Sequence, residues 1–313
     1  MSDRSRLRLG TRGSDLALWQ ARHVATLITD HLGCDCTIEI IKTSGDRIQN
    51  VAFRKMEGKG FFTKELQEAL LEERVDLVVH SLKDLPTEEP EGLDVIAIPE
   101  RANPADLLLA RPNLLQASPA DPFDLPPGSV LGTSSLRRAA QALARNAEIE
   151  IRALRGNVPT RIRKLQDGEY DAILLAAAGV QRLGLDLGEL AARELTPEEM
   201  LPAPGQGALA IETRAGDPIT ECLKNLHDER VAGCVNAERT LLEMLGGGCH
   251  LPLGCLAVED PGGLRLQAVL GEIDDEATRA DIARVGSVAQ DPETAARVCF
   301  EAFKLAMPRV VSG

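Results

Sequence analysis

Cys249 stands in the run Gly246-Gly247-Gly248-Cys249-His250-Leu251-Pro252. Three consecutive glycines would cost too much backbone entropy inside a helix or strand, so the thiol belongs to a loop bare of neighbouring side chains. The stretch before it, with Val235, Leu241, Leu242 and Leu245 at apolar spacing, reads as a helix that the glycines end. A thiol on such a turn is approachable. Three fates stay open for it: catalytic nucleophile, attachment point for a cofactor, or inert side chain.

The second chemical group is cationic. Arg12, Arg137, Arg138, Arg155, Arg161 and Arg182 fall at turns that follow strand-like runs. A guanidinium is a planar fork that grips carboxylates two bonds at a time, and a set of forks at equivalent points implies a ligand with several carboxylates or phosphates. From Val130 to Leu165 eight cationic side chains face two acidic ones, a local excess of +6 in a chain whose net charge is -13. That contrast marks an anion site, while the overall charge argues against non-specific nucleic-acid binding. No G-x-x-x-x-G-K-[ST] phosphate loop occurs, and Gly205-Gln206-Gly207 lacks the third glycine of a dinucleotide fingerprint.

Asp84 follows Lys83 just beyond an apolar strand and precedes Pro86. It is either a turn aspartate or a buried carboxylate facing a developing cation. His80 lies within the strand itself, and with no G-x-S-x-G elbow in the chain it reads as structural.

These groups need a scaffold. Strand patterns at Leu7–Leu9, Thr37–Ile41 and Asp76–His80 alternate with helices from Ser14 to Asp30 and from Phe62 to Glu73, which is the alternation of a parallel α/β sheet. Arg12, Lys83 and Asp84 fall where such sheets bind ligands, beyond the carboxyl ends of strands. The pattern then repeats. Leu131-Gly132-Thr133-Ser134-Ser135 echoes Leu9-Gly10-Thr11-Arg12-Gly13-Ser14, and Tyr170 to Leu175 echoes Val75 to His80. The expected fold is α/β, with two periplasmic-binding-protein-like lobes sharing a cleft and a smaller α+β C-terminal domain. Lobe 1 takes residues 1–99 and 200–216, lobe 2 takes 100–199, and the C-terminal domain, 217–313, carries Cys249. In it, strands are expected around Leu253–Val258 and Leu264–Leu270, and a last helix over Pro292–Ala306. A strand is also expected over Glu148–Leu154, and Pro159 fits the first turn of a helix.

At 313 residues such a chain buries about 75% of its extended surface and needs no staples. Its seven cysteines are odd in number, scattered and free of C-x-x-C, so neither disulfides nor a zinc site is expected and a reducing cytoplasm is. No signal-peptide core and no membrane-length apolar run appear, which implies a soluble protein without a membrane partner.

Together these stretches resemble the porphobilinogen deaminase (hydroxymethylbilane synthase) family. The resemblance rests on Thr11 to Ala17, Gly58-Lys59-Gly60-Phe61-Phe62-Thr63-Lys64-Glu65-Leu66, Val79-His80-Ser81-Leu82-Lys83-Asp84-Leu85-Pro86, Gly132 to Arg138, Arg155-Gly156-Asn157-Val158, Leu201 to Gly207 and Gly247-Gly248-Cys249, in the family's order. It implies a monomeric transferase that adds four porphobilinogens, each losing ammonia, to a dipyrromethane primer held by a thioether at Cys249, and then releases hydroxymethylbilane. The family's catalytic aspartate falls on Asp84. Its cofactor contacts fall on Lys83, Asp84, Thr133, Ser135, Arg137, Arg138 and Cys249, and its substrate contacts on Arg12, Ser14, Lys55, Lys59, Phe62, Arg155, Arg161, Arg182 and Gln206. Loss of ammonia from porphobilinogen leaves a cationic azafulvene, which suits a carboxylate, and the acetate and propionate on every pyrrole suit many arginines. Without the resemblance, echoing lobes and arginines alone permit an organic-acid binding protein or sensor. A cysteine hydrolase would need a histidine facing Cys249, and adjacent His250 is poorly placed for that.

Overall fold

The computed structural model describes residues 6–43, 63–112, 114–115, 121–247, 251–274 and 276–311. In chain order the first elements are β1 (Arg6–Thr11), α1 (Asp15–Leu32), β2 (Asp35–Ile40), α2 (Lys64–Leu71), β3 (Leu77–Ser81), a single 3-10 turn (Leu82–Asp84) and β4 (Leu93–Ala97). Then come β5 (Asp106–Ala110), β6 (Val130–Gly132), α3 (Leu136–Leu143), β7 (Glu150–Arg152), α4 (Val158–Gln166), β8 (Ala172–Ala176), α5 (Ala177–Leu183) and β9 (Ala191–Glu194). Last are β10 (Leu209–Arg214), α6 (Glu229–Met244), β11 (Leu253–Asp260), β12 (Gly263–Ile273), β13 (Ala280–Ala289) and α7 (Pro292–Ala306).

The chain forms two compact units, residues 1–102 with 207–232, and residues 103–206 with 233–313. In the first, the sheet order is β2-β1-β3-β10-β4, with β1 parallel to β2 and β3, and β10 antiparallel to β3 and β4. The second repeats it as β7-β6-β8-β5-β9, with β6 parallel to β7 and β8, and β5 antiparallel to β8 and β9. In both, a strand from outside the local β-α-β run fills the fourth place: β10 returns to the first sheet, and β5 enters the second. The sequence echo is therefore an echo of topology. Its glycines, Gly10 and Gly132, end equivalent first strands, where a Cβ would come within 2.9 Å of Val78 and 2.7 Å of Tyr170. No side chain fits there.

Helix starts follow their capping residues. Ser14 accepts the Ala17 N–H to open α1, Ser135 takes that of Arg138 to open α3, and Asn157 takes that of Thr160 to open α4, with Pro159 in its first turn. Ala21, Val24 and Ile28 of α1 pack with Leu7, Leu9, Leu77 and Val79 under the first sheet. Ile219, Leu223 and Leu226 join that same core. The stretch after Asp217, expected to open the C-terminal domain, thus packs with the first sheet as far as Ala232.

In the second unit β11, β12 and β13 form an antiparallel sheet beside the five-stranded one. Ala295, Ala296, Cys299 and Phe303 of α7 pack with Cys255, Leu266 and Leu270 of that sheet. Helix α3 also contacts β12, and its Gln141 exchanges two bonds with the Leu201 backbone at 2.8 and 3.0 Å. Two strand expectations change. The one over Glu148–Leu154 shrinks to β7, because Gly156 and the α4 cap turn the chain away. β13 went unread because the apolar alternation on which strand recognition rests is broken by Asp281, Arg284 and Gly286.

Candidate active site

The candidate residues of the first unit gather at two turns. Arg12 follows β1 and is half-buried. Ser14 accepts the Ala17 N–H at 3.3 Å, and Thr11 donates to the Ala17 carbonyl at 3.1 Å, which pins the turn. Lys83 and Asp84 occupy the 3-10 turn after β3, with Lys83 half-buried and Asp84 exposed. The expectation of a buried Asp84 is corrected, since the turn carries the carboxylate past the end of the strand into the open.

What is buried is the turn's anchorage. Leu82 donates its N–H to the Ala208 carbonyl at 3.0 Å, and Gln20 donates to the Ser81 hydroxyl at 2.8 Å. His80, 5% exposed, sets its Nε2 2.9 Å from Glu212 Oε2, while Gln67 donates to Glu212 Oε1 at 2.9 Å. His80 is structural, as its place in the strand implied.

In the second unit Thr133 ends the β6 turn and its hydroxyl accepts the Ser135 N–H at 3.1 Å. Arg137 and Arg138 lie in the first turn of α3, 4% and 6% exposed, and both turn onto Asp106, which is fully buried at the start of β5. Gln206 joins them, donating to Asp106 Oδ1 at 2.9 Å and to the Pro104 carbonyl at 2.7 Å. Three residues implied as ligand contacts thus meet at one carboxylate that the sequence reading passed over. Its signal was there: an acid opening the apolar run Leu107-Leu108-Leu109-Ala110 demands a buried cationic partner. Glu238 was missed likewise. It is fully buried on α6 and accepts N–H bonds from Gly205 at 2.7 Å and Ala257 at 2.8 Å. Arg155 and Arg182 are half-buried after β7 and on α5, and Arg161 turns its Nε–H onto the Gly156 carbonyl at 2.7 Å. Lys55, Lys59, Phe62 and Cys249 lie outside the described residues. The approach to Cys249 is described as far as Gly247: the Gly246 N–H bonds the Glu243 carbonyl and the Gly247 N–H that of Leu242, both at 2.9 Å, with φ of 94° and 52°. This is a Schellman ending, with glycine where the left-handed backbone requires it.

Burial alone would push the Asp106 carboxyl up. The charges of Arg137 and Arg138, with bonds from Arg137 and Gln206, outweigh it and hold the group well below the usual carboxylate range. A group depressed below its unfolded value of about 3.9 contributes stability in full above that pH, and loses it as pH falls toward the folded value. Urea titrations are therefore expected to show the wild type losing stability more steeply below about pH 4 than Asp106→Asn does. Equal slopes would deny the coupling.

Two buried guanidinium groups share one counter-carboxylate, and the Arg137 Nε, also buried, has no hydrogen-bond partner among the described residues. A buried excess cation is costly unless an anion completes it. A dipyrromethane, whose pyrroles bear acetate and propionate, supplies that kind of anion, so the residues present fit such a group.

Fold and site together define a two-lobed α/β protein built to hold a polycarboxylate. The family profile described as "Porphobilinogen deaminase, dipyromethane cofactor binding domain" matches residues 7–221, and "Porphobilinogen deaminase, C-terminal domain" matches 232–303. Curated relatives called porphobilinogen deaminase include one from Oceanobacillus iheyensis, 46% identical over 85% of this chain and 84% of that protein. Another, from Thiobacillus denitrificans, is 44% identical over 92% and 91%. The chain belongs to the porphobilinogen deaminase family. Among solved structures, an ancestral cationic amino acid solute binding protein covers 71% of this chain and 88% of its own at 16% identity and a TM-score of 0.43.

Proposed function

We propose that this chain is a cytoplasmic, monomeric transferase that joins four porphobilinogen molecules, with release of ammonia, onto a dipyrromethane held by a thioether at Cys249, and releases the linear tetrapyrrole hydroxymethylbilane. What carries the reading is a buried pair of arginines that share one counter-carboxylate among the described residues, in a chain of this family. No helix among the described residues is long and apolar enough to cross a membrane. Three sheets support a division into three domains, with the Cys249 turn on the last.

When bound, the dipyrromethane supplies the pyrrole carbon to which the first new unit joins. The chain's own residues do the rest. Arg137 holds a ligand carboxylate, and Arg12, Arg155, Arg161 and Arg182 serve further acetate and propionate arms. Asp84 accepts the pyrrole N–H and balances the positive charge that develops on porphobilinogen as its C–N bond breaks.

Incubation of the purified protein with porphobilinogen tests this. One ammonia per porphobilinogen consumed, and one linear tetrapyrrole per four, are expected. Binding of porphobilinogen without consumption would instead favour an organic-acid binding protein.

A further inference from the structure

We infer that Asp106 is a positioning residue: by taking the end of Arg137 and the side of Arg138, it leaves the Nε–Nη2 edge of Arg137 as the fork that grips a ligand carboxylate. The inference rests on the function proposed above. It goes beyond it in dividing the labour between two neighbouring arginines and in naming the residue that divides it.

The donors can be followed one by one. Arg137 meets Asp106 end-on, Nη1 to Oδ2 at 2.5 Å and Nη2 to Oδ1 at 3.2 Å, and its Nη1 also reaches the Leu201 carbonyl at 2.8 Å. Both N–H bonds of Nη1 are thereby used. Arg138 meets the same carboxylate with its side, Nε at 3.1 Å and Nη2 at 2.8 Å on Oδ1, and gives Nη1 to the Leu174 carbonyl at 2.9 Å. Its side edge is closed by the protein. Among the described residues, the Nε–H and the outer N–H of Arg137 Nη2 remain, adjacent and parallel on one edge of the plane. That pair is the two-donor geometry a carboxylate accepts bidentately. The Nε is buried and has no partner among the described residues, so the edge is desolvated without compensation until an anion meets it.

Asp106 can set this geometry because it is itself fixed. Gln206 holds its Oδ1 from the 201–207 crossing, and the neighbouring Gly205 N–H is held at 2.7 Å by Glu238 of α6. A carboxylate displaced by one methylene would keep the charge and still turn Arg137 differently.

Asp106→Glu and Asp106→Asn, compared with wild type, test this. The readouts are melting temperature and, by intact mass, the porphobilinogen concentration at which protein isolated without the group becomes half-loaded with the dipyrromethane adduct, since Arg137 is read as a contact of that group. Asp106→Glu is expected to fold, recovering much of the melting temperature lost in Asp106→Asn, yet to need about tenfold more porphobilinogen for half-loading, as loss of a charged bidentate grip does. Half-loading within twofold of wild type in Asp106→Glu would overturn the inference, whatever the melting temperature. So would failure of both variants to fold, which assigns Asp106 to structure alone. Failure of the wild type itself to take up the adduct would instead count against the functional reading.

Discussion

Asp84→Ala is expected to lower turnover about a thousandfold or more while the protein melts like wild type. The carboxylate is exposed and makes no hydrogen bond or ion pair within the described residues, so its loss removes nothing from the fold. Exposed substitutions of this kind usually change stability by about 0.5 kcal/mol or less. The turn itself stays put, because the Leu82 N–H on Ala208 and the Gln20 bond to Ser81 hold it through other residues. What disappears is the negative charge facing the cation on porphobilinogen, and removal of one such preorganised group costs on the order of 10² to 10³ in turnover. Total loss of charge at an otherwise intact site belongs at or beyond the upper end. Steady-state porphobilinogen consumption beside a thermal melt gives the answer. Activity within tenfold of wild type in a well-folded variant would remove Asp84 from the chemistry.

Cys249→Ser should leave no turnover above background, for a different reason. A thiolate is accessible near neutral pH and is a strong nucleophile toward carbon, whereas a serine hydroxyl without an adjacent base is not. The substitution preserves shape and polarity, so the loss would be covalent in origin. The Schellman ending of α6 gives the thiol its setting: Gly246 and Gly247 take left-handed φ values and stop the helix just before Cys249. Measured turnover in the variant comparable with wild type would mean that the primer needs no thioether at this position.

Much of this architecture was legible in the residues. Ser14 and Pro159 mark helix starts by local chemistry, and Gly10 and Gly132 mark equivalent strand ends by repeating at the same place in both lobes. The run Ala208–Glu212 reads as a strand returning to the first sheet, and β10 lies there. The fourth strand of the second sheet was harder, because β5 is a short apolar run whose partner β8 lies far along the chain, and periodicity carries no information about pairing partners. The site divides in the same way. Arg137 and Arg138 announce themselves as a cationic pair, but that both turn onto Asp106 depends on β5 running antiparallel beside β8, which no local pattern encodes. Asp84 was read correctly as the residue after the β3 strand and wrongly as buried. Its depth depends on where the chain turns, and the turn leads outward.

The intact mass of the purified protein, beside that of Cys249→Ser, bears most directly on the assignment. The expected wild-type excess over the bare chain equals two porphobilinogen units less two ammonias, and it should be missing from the variant. Protein isolated without the group should gain the same mass on incubation with porphobilinogen. A wild type that stays at the bare-chain mass after that incubation, or a serine variant that carries the adduct, would contradict a dipyrromethane anchored at Cys249.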